Sequence, residues 1–169
     1  MIPSTGFDSI FDEYHSKLYA YVLSRVTQRE IAEDITAMTF ERAFNRRDTY
    51  DPNRGSLATW LFRIARNLII DHYAYTSRKP PPDPLDETQL IAATPSPEQV
   101  LVRQEEYSRL REMIARLSDR DQEILYLRFY GRLTNREIAR IMELKEKTVS
   151  VIILRALRKL RTYLEGQTV

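Results

Sequence analysis

Apolar residues recur along most of this chain at intervals of three and four, the spacing that lines one face of a helix. Phe7, Ile10, Phe11, Tyr14, Leu18, Tyr21 and Val22 mark a first stripe. Ile31, Ile35, Met38, Phe40, Ala43 and Phe44 mark a broader second one, with Thr27 placed to cap its start before Gln28. Asp48–Ser56 (DTYDPNRGS) interrupts the pattern, because Asp-Pro and Arg-Gly end regular structure. A third helix then carries Leu57, Leu61, Ile64, Ala65 and Leu68 on one face. Further on, Leu133–Arg161 reads as a helix-turn-helix. With Ala139 as its small residue, Ile138, Met142, Leu144, Val149 and Ile152 give two steeply crossed helices a shared core. Thr134 followed by Glu137 is a capping box that fixes where the first of the two begins.

Composition agrees with helix: Gly is rare, at four residues in 169, and 43% of the chain is hydrophobic, enough for packed helical cores. The absence of cysteine excludes disulfides and thiolate metal sites and fits a reducing cytosol. The opening MIPSTGFDSIFDEY lacks the basic and apolar regions of a signal peptide, and no apolar run approaches bilayer length. A soluble, cytoplasmic protein without membrane insertion is expected. An enzyme is disfavoured: the two histidines, His15 and His72, stand outside any nucleophile motif, and there is no Gly-rich phosphate loop. No catalytic residue, metal site or cofactor is expected.

Charge matters only once it is divided along the chain. Residues 1–79 carry 11 basic and 10 acidic side chains, 80–97 three acidic and no basic, and 98–169 15 basic and 11 acidic. A net charge of +2 therefore hides a basic C-terminal block behind an acidic connector. Lys79–Pro97 holds six of the eight prolines, which forbid helix and stiffen the backbone. The expected architecture is all-α: two small helical domains, 7–79 and 98–165, held apart by the Pro-rich tether 80–97.

Two surfaces suit nucleic acid. From Lys145 to Arg161 six cations (Lys145, Lys147, Arg155, Arg158, Lys159 and Arg161) face one acid, Glu146, and a packed helix pair has no need of them. On the third helix Arg63, Arg66 and Asn67 lie within a turn and a half. Arg54 precedes them, Arg78 and Lys79 follow, and Trp60, Tyr73 and Tyr75 lie alongside. Cations for phosphates beside rings for unstacked bases make a surface for single strands.

The order of these residues carries more than their composition. AEDITAMTFERAFNRRDTYDPNRGSLATWLFRIARNLIIDHY resembles the second region of sigma-70-family transcription initiation factors. The matching features are Ala32-Glu33-Asp34, Thr39-Phe40 to Ala43-Phe44, Thr59-Trp60-Leu61 and Arg63-Ile64-Ala65-Arg66-Asn67. LSDRDQEILYLRFYGRLTNREIA, from Leu117, is similar to the start of the fourth region and leads into the helix-turn-helix. The resemblance covers about residues 7–163 and is to the extracytoplasmic-function (ECF) group, which has only these two regions.

This resemblance implies partners and roles. Bacterial core RNA polymerase would be bound through a surface centred on Asp34, Ile35, Met38, Phe40 and Arg42. The loop Asp51–Ser56 and the helix after it would engage the single-stranded minus-ten element, with Arg54 and Trp60 beside the strand. Arg63, Arg66, Arg78 and Lys79 would hold its phosphates, and Asn67 would take a flipped base, since an amide both donates and accepts. The recognition helix would enter duplex DNA at the minus-thirty-five element through Lys145, Lys147, Thr148, Ser150, Arg155 and Arg158. A separate anti-sigma factor would be a further partner.

Three departures from the family pattern alter these expectations. Ala37 and Met38 stand where Gln and an acid are common, so part of the polymerase contact differs. Glu143 replaces the usual turn glycine. Ser150-Val151-Ile152 replaces Lys-Ser-Arg, removing two cations near the bases. If Ile152 completes the core, Val151 and Leu154 face the groove, where they either meet thymine methyls or weaken minus-thirty-five reading. A sigma-like decoy for an antagonist is the rival reading, opposed by the retained basic face. An ordinary helix-turn-helix repressor is a second rival, which would not require the Trp60–Asn67 order.

Overall fold

The computed structural model describes residues 6–76 and 109–166. Among these every regular element is helical: α1 (Phe7–Val26), α2 (Arg29–Asn45), a 3-10 turn (Arg47–Thr49), α3 (Leu57–Thr76), α4 (109–115), α5 (Asp119–Phe129), α6 (Asn135–Met142) and α7 (Glu146–Glu165). The expected all-α class is what is found. The connector 80–97, with Arg78 and Lys79, lies outside the described residues.

Helices α1–α3 bundle over Leu18, Val22, Ala32, Ile35, Ala43, Leu61, Ala65 and Leu68, close to the predicted stripes. The joint between α1 and α2 differs from expectation. Thr27 does not cap α2; it ends α1 in the left-handed region (φ 60°), its N–H bonded to the Leu23 carbonyl at 3.0 Å, and Gln28 occupies the N-cap of α2. Thr27 takes the left-handed backbone that closes α1, where an N-cap needs extended backbone, so α2 begins one residue later, at Arg29.

The helix-turn-helix forms as read. Thr134 accepts from the Glu137 N–H and the Glu137 carboxylate accepts from the Thr134 N–H at 2.9 Å, so the capping box is complete. Ile138, Val149 and Ile152 are buried, while Met142 and Leu144 pack at the edge. Glu143 sits at the end of α6 with φ 56° and ψ 42°, where a side chain crowds its own backbone. Glu143→Gly should therefore raise the unfolding free energy by about 1 kcal/mol, measured by urea denaturation.

The two halves are not held apart. One continuous core runs from α1–α3 into Ile124, Leu127, Leu133 and Ile138 of α5 and α6. Phe62 of α3 is fully buried at the junction. A Cβ added at Gly131 would lie 2.8 Å from the Phe62 ring and 2.7 Å from the Leu127 carbonyl, so glycine is needed there for space. A smaller core of Met113, Leu117, Leu125, Ala156 and Leu160 ties α4 and α5 to α7.

Candidate nucleic-acid interface

The loop between the 3-10 turn and α3 is built by short-range bonds. The Asp51 side chain accepts from the Asn53 N–H at 2.9 Å, closing an Asx turn, and the Ser56 hydroxyl accepts from the Thr59 N–H at 3.2 Å, capping α3. The Tyr50 phenol donates to the Gly55 carbonyl at 3.3 Å, and its ring packs at 5.5 Å from Trp60. Between loop and helix opens a cleft of about 330 Å³ lined by Thr49, Tyr50, Asp51, Arg54, Gly55, Thr59, Trp60 and Arg63. Two rings, two guanidiniums and two threonines, with the Asp51 carboxylate turned to the Asn53 N–H, surround a space that suits a planar heterocycle on a charged backbone. Asn67 is exposed one turn beyond Arg63 and does not line the cleft.

The basic face of α3 is largely engaged. Arg63 donates to the Arg140 carbonyl of α6 at 2.7 Å. Arg66 stands 3.3 Å from the Glu123 carboxylate of α5, an ion pair rather than an aligned hydrogen bond. Glu123 is 7% exposed and also accepts from the Tyr21 phenol at 3.0 Å. Burial first, and the Glu123 charge next, push the Tyr21 phenol well above its usual pKa, so it remains a donor. Ser56 donates to Glu137 at 2.6 Å, bringing the loop itself against α6. Partial burial would raise the Glu137 pKa. The Ser56 bond and the two from Thr134 outweigh it and hold the carboxyl below its ordinary 4.5. A lowered folded pKa stabilises above the unfolded value and is lost as pH falls through the folded one. Acid titration from about pH 4.5 downward should thus loosen this contact, and Glu137→Gln should flatten that part of the melting-temperature profile.

The residues expected to meet polymerase divide in two. Asp34, Met38 and Arg42 form one exposed stripe on α2, whereas Ile35 (2% exposed) and Phe40 (5%) face the core. Those two serve packing, and the surface centre loses them. Lys145, the N-cap of α7, and Lys147, Thr148 and Arg158 on the helix are exposed. Ser150 is held by Asn135 at 2.9 Å and by the Glu146 carbonyl at 3.1 Å, and Arg155 by the buried Asp121 at 2.8 Å. Tyr73 donates its phenol to the Arg25 carbonyl.

The acids Asp121 and Glu123 escaped the sequence reading. Asp121 precedes buried Leu125 by four residues and Glu123 precedes buried Leu127 by four, so each stands on an apolar stripe. A carboxylate in such a position needs a buried partner, and that was the available signal.

Comparison with known proteins agrees with this geometry. Residues 10–79 match the family model Sigma-70 region 2, and residues 113–162 match Sigma-70, region 4. The ECF RNA polymerase sigma factor SigW of Bacillus subtilis is 32% identical over 171 residues, covering 94% of this chain and 89% of that protein. This chain belongs to the sigma-70 family. Its regions two and four make it a sigma factor of the ECF type, a transcription initiation factor. The ECF sigma factor BldN of Streptomyces coelicolor is 30% identical over 155 residues, covering 92% of this chain but only 59% of BldN. The fold is also that of the sigma factor RpoE solved with the anti-sigma factor NepR from Bartonella quintana. The TM-score is 0.72 at 18% identity, over 96% of this chain and 99% of that one. Among the described residues of this sigma factor, no helix is long and apolar enough to cross a membrane.

Proposed function

We propose that this sigma factor binds bacterial core RNA polymerase in the cytoplasm, carries it to promoters and helps open them, without catalysing a reaction itself. The cleft beside Trp60 carries this reading: rings and cations meet there on the same chain as a capped helix-turn-helix. Region two (7–79) presents Asp34, Met38 and Arg42 to polymerase. Its loop and α3 take the minus-ten strand through Arg54, Trp60, Arg63, Arg66 and Asn67, with Arg78 and Lys79 beyond. Region four (98–165) takes the duplex minus-thirty-five element through Lys145, Lys147, Thr148 and Arg158, and the acidic segment 80–97 connects the two. Arg66 is paired with Glu123 and Arg63 spends one N–H on α6 here, so freeing Arg66 for phosphate requires the halves to separate, while Arg63 keeps donors toward the cleft. An anti-sigma factor that keeps them together would oppose initiation, and the fold shared with a sigma factor solved with its antagonist supports such a partner.

Run-off transcription with purified core polymerase on a promoter library tests the reading directly. Specific transcripts are expected only when the protein is added; failure to bind core polymerase would favour a decoy or a stand-alone DNA binder. Asn67→Ala should lower open-complex formation about three- to tenfold, the worth of one or two hydrogen bonds. Polymerase binding should be retained, and permanganate footprinting reads the opening. Equal loss of both would make Asn67 structural.

A further inference from the structure

The buried face of α7 is Val149, Ile152, Ala156 and Leu160. The opposite face is therefore Lys147, Val151, Leu154 and Arg158, spaced by four, three and four along one stripe. Val151 is 55% exposed and Leu154 51%, on the part of the helix that would lie deepest in a groove. The polar side chains that compete for base reading there are committed elsewhere. The Ser150 hydroxyl is bonded to Asn135 and to the Glu146 carbonyl. Arg155 is paired with Asp121, a carboxylate only 3% exposed. Withdrawing Arg155 toward a base would leave that buried charge with only the longer 3.5 Å contact from Arg120. On the stripe opposite the core, the first three turns offer the outside one cation, Lys147, and two branched aliphatic side chains.

In a major groove the thymine 5-methyl is the apolar group on a base edge. We infer, resting on the promoter reading above, that Val151 and Leu154 recognise thymine methyls in the upstream element, while Lys147 and Arg158 hold the flanking phosphates. Three residues of helix advance about 4.5 Å, close to the ~3.4 Å step between base pairs, so the two methyls belong to neighbouring base pairs. Charge favours DNA over an amphipathic partner helix as the occupant. Cations bracket the aliphatic pair on its own stripe, and the stripe holds no acid between them. Specificity upstream is thus set by apolar contact at Val151 and Leu154, while Ser150 and Ile152 stand where the family pattern puts cations.

The test uses the full chain reconstituted with core polymerase on a promoter found by run-off transcription. Each thymine of the upstream element is replaced singly by deoxyuridine, which removes the methyl and keeps the pairing. Two neighbouring positions should each lose about fourfold in occupancy, the effect of returning one buried carbon to water. Val151→Ala and Leu154→Ala should each lose a similar amount on thymine DNA and show no further loss on uracil at the matching position. Both side chains are exposed, so unchanged melting temperatures are expected, and a lowered one would be corrected for by the folded fraction. Occupancy indifferent to every deoxyuridine would overturn the inference while leaving the promoter reading standing. So would a methyl effect that persists in the double alanine variant. Alanine variants that transcribe normally but lose an anti-sigma factor would assign the stripe to protein docking instead. Failure to transcribe from any promoter would remove the promoter reading itself, and this inference with it.

Discussion

Glu123→Ala is expected to destabilise the chain by about 3–5 kcal/mol, the range for removing one member of a buried charged pair. Two losses combine at this position. The fully buried Tyr21 phenol would keep its proton with nothing to receive it, a cost of about 1–3 kcal/mol by itself. Arg66 would also lose its counter-charge, though 28% of that side chain is exposed and water relieves part of the loss. The lower end of the range therefore applies. Glu123→Gln leaves an acceptor for Tyr21 and removes only the charge, so about 1–2 kcal/mol is expected. Tyr21→Phe removes the donor and leaves Glu123 its arginine, and the expected cost is about 1 kcal/mol. Urea unfolding followed by far-ultraviolet circular dichroism and by Trp60 fluorescence reads all three variants. A Glu123→Ala protein as stable as the parent would show that the halves do not close in the free chain.

The same triad links stability to function. Arg66 is one of the cations proposed to hold the minus-ten strand, and in the closed chain a buried carboxylate takes the place that a phosphate would have in that proposal. Arg63 is likewise bonded to α6, the helix that starts the DNA-reading motif. On the proposed reading each half covers part of the other's nucleic-acid surface, and binding to core polymerase would supply the free energy that separates them.

The local elements were legible because their signals are local. The apolar stripes of α1–α3 and the Thr134–Glu137 capping box depend on residues within a few positions of one another, and they formed as read except at Phe11, Met38 and Phe44, which are exposed. The end of α6 was legible as a misfit: glutamate at a left-handed position. The contact between the halves was not legible. Tyr21 and Glu123 are 102 residues apart and Ser56 and Glu137 81 apart, and no periodicity connects such pairs. Arg63 and Arg66 stood out as cations that packing did not explain, and packing against the second half explains part of them. Phe62 and Ile69 were absent from the predicted face of α3 because that face was drawn for one bundle, and the helix is buried on two sides. The cleft was half visible. Arg54, Trp60 and Arg63 were expected near the strand, while Thr49, Tyr50 and Thr59 join them only through the folding of the loop. Ile35 and Phe40 show the opposite error. A surface motif was carried over whole, although every turn of a packed helix gives part of any such motif to its own core.

Trp60→Ala and Arg54→Ala should both cripple initiation, and salt should tell them apart. Trp60 lies against Tyr50 at the mouth of the cleft, where a base can stack on the paired rings. Losing a stacking platform costs about 1–3 kcal/mol per base, which is roughly 5- to 150-fold in open-complex stability. Arg54 is exposed at the other side of the cleft and would meet a phosphate. Its loss should reduce the slope of log affinity against log salt by about 0.7, the value for one contact on a single strand. Trp60→Ala should lower affinity at every salt concentration and leave that slope unchanged. Trp60→Phe should recover most of the activity, because a smaller ring still offers a face to a base. The measurement is the lifetime of open complexes on one promoter at several salt concentrations, with heparin as competitor. Identical slopes for parent and Arg54→Ala would remove Arg54 from the strand path. A Trp60→Ala protein that opens promoters at the parent's rate would make the pair of rings a packing contact and leave the cleft without its base.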